Sequence, residues 1–181
     1  MEISFLTSNP HKFAEALEAC GGSRVVLKHI PLKYEEPRGE SCGDVIGKCL
    51  SGLAEKMPAP FIIEDSGLYI NALGGFPGPY SAFVHKRLGL AGILRLMRGV
   101  EDRSAHFESA IGYWDGNEAK VFMGIVEGEI SHAEKGGSGF GYDPLFIPKG
   151  YKFTFAENMS VKHELSHRAK AFREFISYVD R

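Results

Sequence analysis

The chain has 181 residues, and its 21 basic and 23 acidic side chains give a formal net charge of -2. This balance excludes the broad basic surface that binding to extended duplex nucleic acid requires. A chain of this length can bury a sizeable core without a disulfide or a structural metal. We therefore expect one domain over residues 1–181, with room for two lobes.

Cysteine usage and hydropathy indicate a protein of a reducing compartment. Cys20, Cys42 and Cys49 form no CxxC pair, and no partner lies at a short spacing that would complete a zinc site. The chain begins on a strand-like run rather than a leader, and it lacks the ~18-residue apolar stretch of a membrane helix. We expect a soluble, cytoplasmic protein with reduced thiols and no membrane partner.

The first predicted unit is a strand at 3–6, a polar turn at 7–12 and a helix. Asn9 suits the N-cap of this helix, and Pro10 suits its first position. Hydroxyls, backbone N–H groups and Lys12 then lie at a helix N-terminus, which is a favourable anion site. The plain alternative is a well-capped helix with Lys12 in solvent.

A short strand at 25–27 and an irregular acidic stretch at 31–40 precede a second predicted helix, which opens at Ser41. Lys48 lies outside the buried stripe of this helix. Its ordinary role is an i,i+4 ion pair with Asp44.

The central stretch is 61–68, with the sequence Phe-Ile-Ile-Glu-Asp-Ser-Gly-Leu. A short apolar run that stops at charges is typical of a buried strand that ends at a cleft. Open α/β sheets bind ligands outside such strand ends. The alternative is a simple strand cap, in which Asp65, Ser66 and Gly67 form a turn.

A Gly- and Pro-rich stretch at 73–81 predicts an ordered loop against the cleft, and a helix is predicted at about 87–98. Alternating runs at 104–114 and 120–130 are joined by the Asp-Gly pair at 115–116. They predict a β-hairpin, which we expect to form part of the second lobe.

Two features near the C-terminus favour ligand binding. The glycine-dense loop 136–146 can approach a ligand closely, and Phe140 or Tyr142 could stack on a planar ring. The last helix follows Ser166, which places His167 and Arg168 in its first turn, where cations oppose the helix dipole. Local rules broken in this way tend to be functional. The alternatives are aromatic side chains packed into the core and cations in solvent.

Five stretches together resemble the inosine triphosphate pyrophosphatase (Ham1-like) family. They occur in the family's order and cover nearly the whole chain, at 7–12, 64–68, 73–81, 139–144 and 166–168. Two positions depart from the usual pattern, because Ser8 stands where many members have glycine and Phe83 where bacterial members carry arginine. The chain is therefore more similar to the archaeal and eukaryotic branch.

The resemblance implies an α/β fold with an elongated mixed β-sheet flanked by helices, and a substrate cleft between two lobes. It implies hydrolysis of ITP, dITP and XTP to the monophosphate and pyrophosphate, which removes these nucleotides from the pool. It also implies Mg²⁺ as the cofactor and a homodimer as the assembly, with no stable nucleic-acid partner.

Matching the family's motifs residue by residue implies roles for the site residues. Asp65 is the expected catalytic residue and a metal ligand, with Glu36 as the second metal ligand. Glu64 ranks lower because alternation turns it to the other strand face, although it could serve a second metal. Lys12 and Lys48 would hold phosphate oxygens as pyrophosphate leaves. The other expected substrate contacts are Thr7, Ser8, Asn9, Ser66, Phe140, Gly141, Tyr142, Asp143, Lys162, His167 and Arg168.

Base discrimination is expected at Arg168 and His167. A 6-oxo purine presents an acceptor where adenine presents an amino donor, so cationic donors suit the 6-oxo purine. A site built on hydrogen bonds can reject such an analogue by ~10⁴ or more. Phe140 is the stacking candidate, and Asp143 could accept from the ring N1–H.

The sequence alone leaves two other functions open. A Maf-like pyrophosphatase would act on pyrimidine or modified nucleotides, although Arg168 and the loop around Phe140 favour purines. A non-catalytic nucleotide- or single-strand RNA-binding module would use the aromatic loop as a stacking platform. Two carboxylates aimed at a phosphate site argue against such a module, because they repel a polyanion unless a metal intervenes.

Overall fold

The computed structural model describes residues 1–180, so the last residue of the predicted domain lies outside the described residues. The strands are β1 (Glu2–Leu6), β2 (Val26–Ile30), β3 (Phe61–Ile70), β4 (Pro77–Gly78), β5 (Ser104–Trp114), β6 (Ala119–Ile130) and β7 (Phe146–Pro148). The α-helices are α1 (Pro10–Ala19), α2 (Cys42–Ala54), α3 (Ser81–Leu96), α4 (Met159–Leu165) and α5 (His167–Val179).

One mixed sheet carries these strands in the order β2-β1-β3-β5-β6-β7, with β4 paired to β3. β1 runs parallel to both β2 and β3, whereas the β3-β5-β6-β7 pairs are antiparallel. The predicted mixed α/β sheet flanked by helices is confirmed.

Apolar residues cover both faces of the sheet. Ile62 packs in a cluster with α1 and α5, while its neighbours Phe61 and Ile63 pack in a second cluster with α2. This alternation is the period-2 pattern of a strand buried on both sides. A third cluster surrounds the C-terminal end of β3 and the N-terminal end of β5, where α3 and β7 pack.

The predicted end of the central strand at the carboxylates is wrong. β3 continues to Ile70 and pairs with β5 along its whole length. Its other edge pairs with β1 only at Phe61 and Ile62, and with β4 only at Leu68 and Tyr69. Between these pairings, no strand in the described part of the chain covers the edge at 64–66. The cleft therefore opens beside a strand edge, and the charged side chains interrupt the apolar run without ending the strand.

Other boundaries also differ from the predictions. The helix expected at 87–98 begins earlier, at Ser81, and bends at Gly89, whose φ of 63° lies outside the helical range. The 73–81 stretch contributes the short strand β4, and α4 was not predicted. The hairpin of β5 and β6 is confirmed. Within residues 1–180, no helix has the length and hydropathy of a membrane span.

Candidate active site

A cavity of about 430 Å³ runs along the open edge of β3. Its walls come from the turn between β1 and α1, the stretch at 31–40, the loop at 139–143, and the starts of α3 and α5. Every predicted site residue except Lys48 lines it, namely Thr7, Ser8, Asn9, Lys12, Glu36, Asp65, Ser66, Phe140, Gly141, Tyr142, Asp143, Lys162, His167 and Arg168.

The predicted phosphate turn is built as a helix cap. Asn9 Oδ1 accepts from the backbone N–H groups of His11 at 3.0 Å and Lys12 at 3.4 Å. Thr7 Oγ1 accepts from the backbone N–H of Asn9 at 3.1 Å. The predicted N-cap is confirmed. Its amide oxygen is therefore occupied by the backbone, and the Ser8 side chain is the exposed polar group at the tip of the turn.

Lys12 joins the turn to the open edge of β3. Its Nζ lies 3.0 Å from Glu64 Oε2 and 3.6 Å from Asp65 Oδ1, and it donates to the backbone carbonyl of Glu64 at 3.0 Å. Burial lowers the pKa of Lys12, but the two carboxylates raise it above its ordinary value. Although strand alternation turns Glu64 to the other face of β3, Glu64 also lines the cavity, and the Lys12 ammonium at the strand edge reaches both carboxylates.

The two adjacent carboxyl groups differ in their surroundings. Burial raises the pKa of Asp65 to about 6, although Lys12 opposes this shift. Burial also acts on Glu64, but Arg168 and Lys12 together lower its pKa to about 2. Asp65 Oδ2 is buried and has no hydrogen-bond partner among the described residues. Of the two carboxylates, Asp65 therefore has the oxygen that can bind a further ligand.

Glu36 and Asp65 are suitable ligands for a hard cation. Glu36 lines the cavity from an exposed loop, and its charge contributes to the raised pKa of Asp65. No three His, Cys, Asp or Glu side chains converge into a preformed metal site within residues 1–180. Mg²⁺ is commonly held by one or two carboxylates, with water and substrate phosphates completing its coordination. The unpaired Asp65 oxygen and the nearby Glu36 fit that pattern.

Lys48 lies outside the cavity. Its Nζ donates to Asp44 Oδ2 at 2.8 Å and to the backbone carbonyl of Arg38 at 3.0 Å, on the surface beside Tyr80. The structure therefore shows the ordinary i,i+4 pair and does not bring Lys48 to the other site residues.

The loop at 139–143 is held in shape by Asp143. Its carboxylate accepts from the backbone N–H of Phe140 at 2.8 Å and from Lys162 Nζ. Gly139 has φ of +75°, and a Cβ there would lie 2.3 Å from Asp143 Oδ2, so only glycine fits. Burial raises the pKa of Asp143, although Lys162 opposes it. Gly139 is thus required by the shape of the loop itself.

Lys162 and Arg168 form a buried ion-pair network with Glu15. Each cation contacts the Glu15 carboxylate, Lys162 also contacts Asp143, and Arg168 Nη2 lies 3.1 Å from Glu64 Oε1. Arg168 Nη2 also donates to a Ser66 hydroxyl at 2.9 Å. Arg168 Nε has no partner within the described part of the chain.

Sequence reasoning missed Glu15. The available signal was its position three residues after Lys12, which places the two side chains on the same face of α1. The cavity also has walls that were not predicted as site residues, namely Leu32, Lys33, Tyr34, Pro79, Ser81, Ala82, His85 and Phe107. Pro79 and Ser81 lie within one of the matched stretches, whereas only the fold brings Phe107 and His85 to the cavity.

His167 is not the cation that the sequence suggested. Burial, and then the charge of Arg168, lower its pKa well below 6.5, so the imidazole is neutral at pH 7. Its ring stacks on Phe107, with centroids 4.6 Å apart, and its Nδ1 has no partner among residues 1–180. Of the two residues predicted as cations in the first turn of α5, Arg168 alone is therefore charged. Glu15 and Glu64 balance that charge, so the helix needs no external anion.

Phe140 is partly buried between cationic and aromatic neighbours. The His11 ring stacks on it at 5.1 Å between centroids, and Lys162 Nζ lies 4.5 Å from its centroid. Tyr142 is buried, and its hydroxyl donates to the backbone carbonyl of Ser81 at 2.9 Å. Phe140 is thus the more accessible of the two aromatic rings.

Comparison with known proteins gives consistent relatives. The model of the Ham1 family matches residues 3–178. A dITP/XTP pyrophosphatase of Pyrococcus horikoshii is 45% identical over 180 residues, which covers 99% of this chain and 97% of that protein. A dITP/XTP pyrophosphatase of Thermococcus kodakarensis is 42% identical, again over 99% of this chain and 97% of the relative. A solved structure of a HAM1 protein from Coxiella burnetii has a TM-score of 0.86 and 25% identity, with 99% of this chain and 98% of that chain covered.

Proposed function

This chain belongs to the Ham1 family, and we propose that it hydrolyses the non-canonical purine nucleotides ITP, dITP and XTP to the monophosphate and pyrophosphate. Archaeal relatives named dITP/XTP pyrophosphatase are similar to it over nearly their whole length. In a cell, this activity would remove deaminated purine nucleotides from the nucleotide pool.

One observation carries the assignment to this cavity. Asp65 Oδ2 and Arg168 Nε are both buried without a partner among the described residues, and both residues line the same cavity. Buried polar atoms in native proteins are nearly always paired, so each indicates a missing group. The Asp65 oxygen can pair with a cation or a hydrogen-bond donor. The Arg168 N–H can donate to an acceptor, and a 6-oxo purine has an acceptor at position 6 of the ring, where adenine has an amino donor.

The phosphate end of the site uses Lys12, the turn at 7–9 and Asp65. Lys12 Nζ binds phosphate oxygens and offsets the charge that develops on the leaving pyrophosphate. Asp65 is largely ionised at pH 7, because its pKa is about 6, and it accepts the proton of the attacking water. Mg²⁺ held by Glu36 and Asp65 would neutralise part of the triphosphate charge.

Lys48 reaches the phosphates only after it leaves its pair with Asp44. Both side chains of that pair are well exposed, and such pairs contribute little to stability. A bound polyanion can therefore draw the ammonium away from the surface at small cost.

The base end uses the loop at 140–143 with Lys162, His167 and Arg168. The purine would stack on Phe140 in place of the His11 ring that now covers it, and Arg168 donates to the 6-oxo group. The neutral His167 keeps one ring nitrogen available for a second hydrogen bond. A site of this kind leaves the amino group of adenine unpaired, and this mismatch is the basis for rejecting ATP.

The assembly and the compartment are part of the same proposal. Phe76, Tyr80, Phe83 and Leu88 are large apolar side chains with exposed fractions of 39–61% on one stretch of the chain. Exposed apolar side chains of this size support a homodimer, in which they would be buried at the interface between two copies. The three cysteines are free thiols, which supports a cytoplasmic setting.

The test is hydrolysis of ITP, XTP, GTP, ATP and dTTP with Mg²⁺, with pyrophosphate and orthophosphate measured separately. We expect pyrophosphate from ITP and XTP in clear preference to ATP, and none with EDTA present. Release of orthophosphate alone, equal rates for ITP and ATP, or a preference for dTTP would overturn the proposal. Binding of ITP without turnover would favour a non-catalytic module.

A further inference from the structure

Glu64 is a buried carboxylate, and the proposed function assigns it no role in binding the metal or the base. Its side chain is fully enclosed, and Ser109 Oγ donates to its Oε1 at 2.6 Å. Glu64 Oε2 lies 3.0 Å from Lys12 Nζ, while Oε1 lies 3.1 Å from Arg168 Nη2. One carboxylate thus contacts two cations that belong to opposite ends of the proposed site.

No other carboxylate in residues 1–180 has this position. Asp65 contacts Lys12 but not Arg168, and Glu15 contacts Arg168 but not Lys12. Lys12 is held by Glu64 twice, since the backbone carbonyl of Glu64 also accepts from its Nζ. A displacement of either cation therefore acts on the carboxylate that holds the other.

The backbone under Glu64 restricts how far this carboxylate can follow a displaced cation. Glu64 lies in the middle of β3, in register with Ile111 of β5, and the neighbouring pairs are formed on both sides. A charged group in a well-packed and hydrogen-bonded setting has few alternative positions. Glu64 therefore links the positions of Lys12 and Arg168 through one rigid strand residue, whereas Asp65, Glu15 and Ser66 each contact only one of the two cations.

We propose that Glu64 is a positioning residue that couples recognition of the purine base to the phosphate chemistry, by fixing Arg168 and Lys12 relative to each other. This inference rests on the proposed function of the cavity. The Glu64 carboxylate is enclosed and already paired with Ser109, Lys12 and Arg168, so its proposed role is to position the two cations without contacting the base, the phosphates or a metal. It acts on base selectivity through Arg168 and on turnover through Lys12.

The test is a double-mutant cycle on the ratio of kcat/KM for ITP to that for ATP. The variants are Glu64→Gln, Arg168→Lys and the pair combined. We expect Glu64→Gln to lower the ratio about tenfold, a typical coupling between residues in contact. In the double variant, the ratio should fall no further than in Arg168→Lys alone. The kcat for ITP should also fall in Glu64→Gln, since Lys12 loses the negative charge that lies 3.0 Å from its Nζ.

Matched controls separate positioning from damage to the fold. Glu118→Gln makes the same chemical change in an exposed ion pair with Lys120 and should leave both parameters unchanged. Glu64→Asp keeps the buried charge, and thus the fold, but its shorter side chain cannot span both cations, so it should also lose selectivity. Damaged protein would lower kcat equally for ITP and ATP and leave the ratio intact.

A binding measurement tests the effect of Glu64 on base discrimination without requiring turnover. Calorimetric titration of inosine and adenosine monophosphates, with EDTA present, should show reduced discrimination in Glu64→Gln. Additive effects in the cycle, or an unchanged ratio in both Glu64 variants, would overturn the inference. Absence of pyrophosphate release by the wild-type protein would overturn the proposed function instead, and the monophosphate titrations would still decide the role of Glu64.

Discussion

The two ends of the cavity differ in how their charges are paired. At the base end, Lys162 and Arg168 each contact two carboxylates, and the loop at 139–143 is tied to Lys162 through Asp143. At the phosphate end, Asp65 has only a 3.6 Å contact with Lys12 and keeps an unpaired oxygen, while Glu36 stands exposed on a loop.

This difference shows which part of the site exists before the ligand arrives. The base end is preorganised, because its cations cannot move without leaving buried carboxylates uncompensated. The phosphate end is held by fewer ion pairs, and a polyanion can approach Asp65 and Glu36 only when a cation balances their charge. Selectivity should therefore depend on fixed geometry, whereas turnover should depend on groups that the ligand and metal bring together.

The largest expected effect comes from removing the unpaired carboxylate. Asp65→Asn should lower kcat for ITP by roughly 10²–10⁴-fold, the usual contribution of a positioned base. Substrate binding and the far-UV circular dichroism spectrum should stay close to those of the wild type. Steady-state kinetics with pyrophosphate detection measures this effect, and Asp102→Asn, an exposed carboxylate away from the cavity, is the control. Near-normal turnover would remove Asp65 from the chemistry.

A second prediction concerns the preorganised end. Arg168→Lys keeps the buried charge but loses the Nε–H, so it should lower the preference for ITP over ATP by about ten- to a hundredfold, the usual value of a hydrogen bond to a charged group. The rate with ATP should change little. Arg173→Lys, on the exposed side of α5, serves as the control. Equal losses for both nucleotides would show that Arg168 acts on the phosphates.

A third prediction uses the opposite pKa shifts of the two neighbouring carboxyl groups. The pKa of Asp65 is about 6, above its ordinary value of 3.8, so its contribution to stability is lost as pH rises from about 4 to 6. Glu64 has the reverse sign, because its pKa of about 2 makes its contribution fall as pH drops below 4.5. In metal-free buffer, Asp65→Asn should therefore raise the thermal midpoint by roughly 3–8 °C at pH 8 relative to wild type.

That gain should largely disappear near pH 3.5, where Asp65 is protonated in the folded wild-type protein and mostly protonated in the unfolded one. Differential scanning calorimetry of the two proteins between pH 3.5 and 8 provides the comparison. A constant difference across this range would mean that the Asp65 carboxyl does not carry a raised pKa.

The smallest expected effect concerns Lys48. Lys48→Ala should leave the thermal midpoint unchanged, because the Lys48 side chain is half exposed and its pair with Asp44 lies on the surface. The KM for ITP should rise severalfold, because the ammonium would join the phosphates only in the complex. Lys170→Ala, on the surface of α5, is a suitable control. An unchanged KM would show that Lys48 does not bind the phosphates and forms only its surface ion pair with Asp44.

Much of the fold follows from local sequence signals, whereas most of the cavity lining was predicted from the resemblance to the family. Asn9 and Ser166 cap their helices as predicted, and the Asp-Gly pair joins the hairpin. These features depend on neighbours within a few residues, where capping and turn chemistry act strongly. The family's motifs then selected residues that do lie together, with Lys48 as the exception.

Tertiary structure alone decided the electrostatics of the site. The sequence placed His167 and Arg168 at a helix start, but their charge states follow from burial and from partners up to 153 residues away, as for Glu15. It placed Glu64 and Asp65 side by side, but only the uncovered strand edge lets Lys12 reach both. A pKa depends on desolvation and on charges within a few ångströms. Those distances are set by the packing of elements that are remote in the chain, and no local pattern records them.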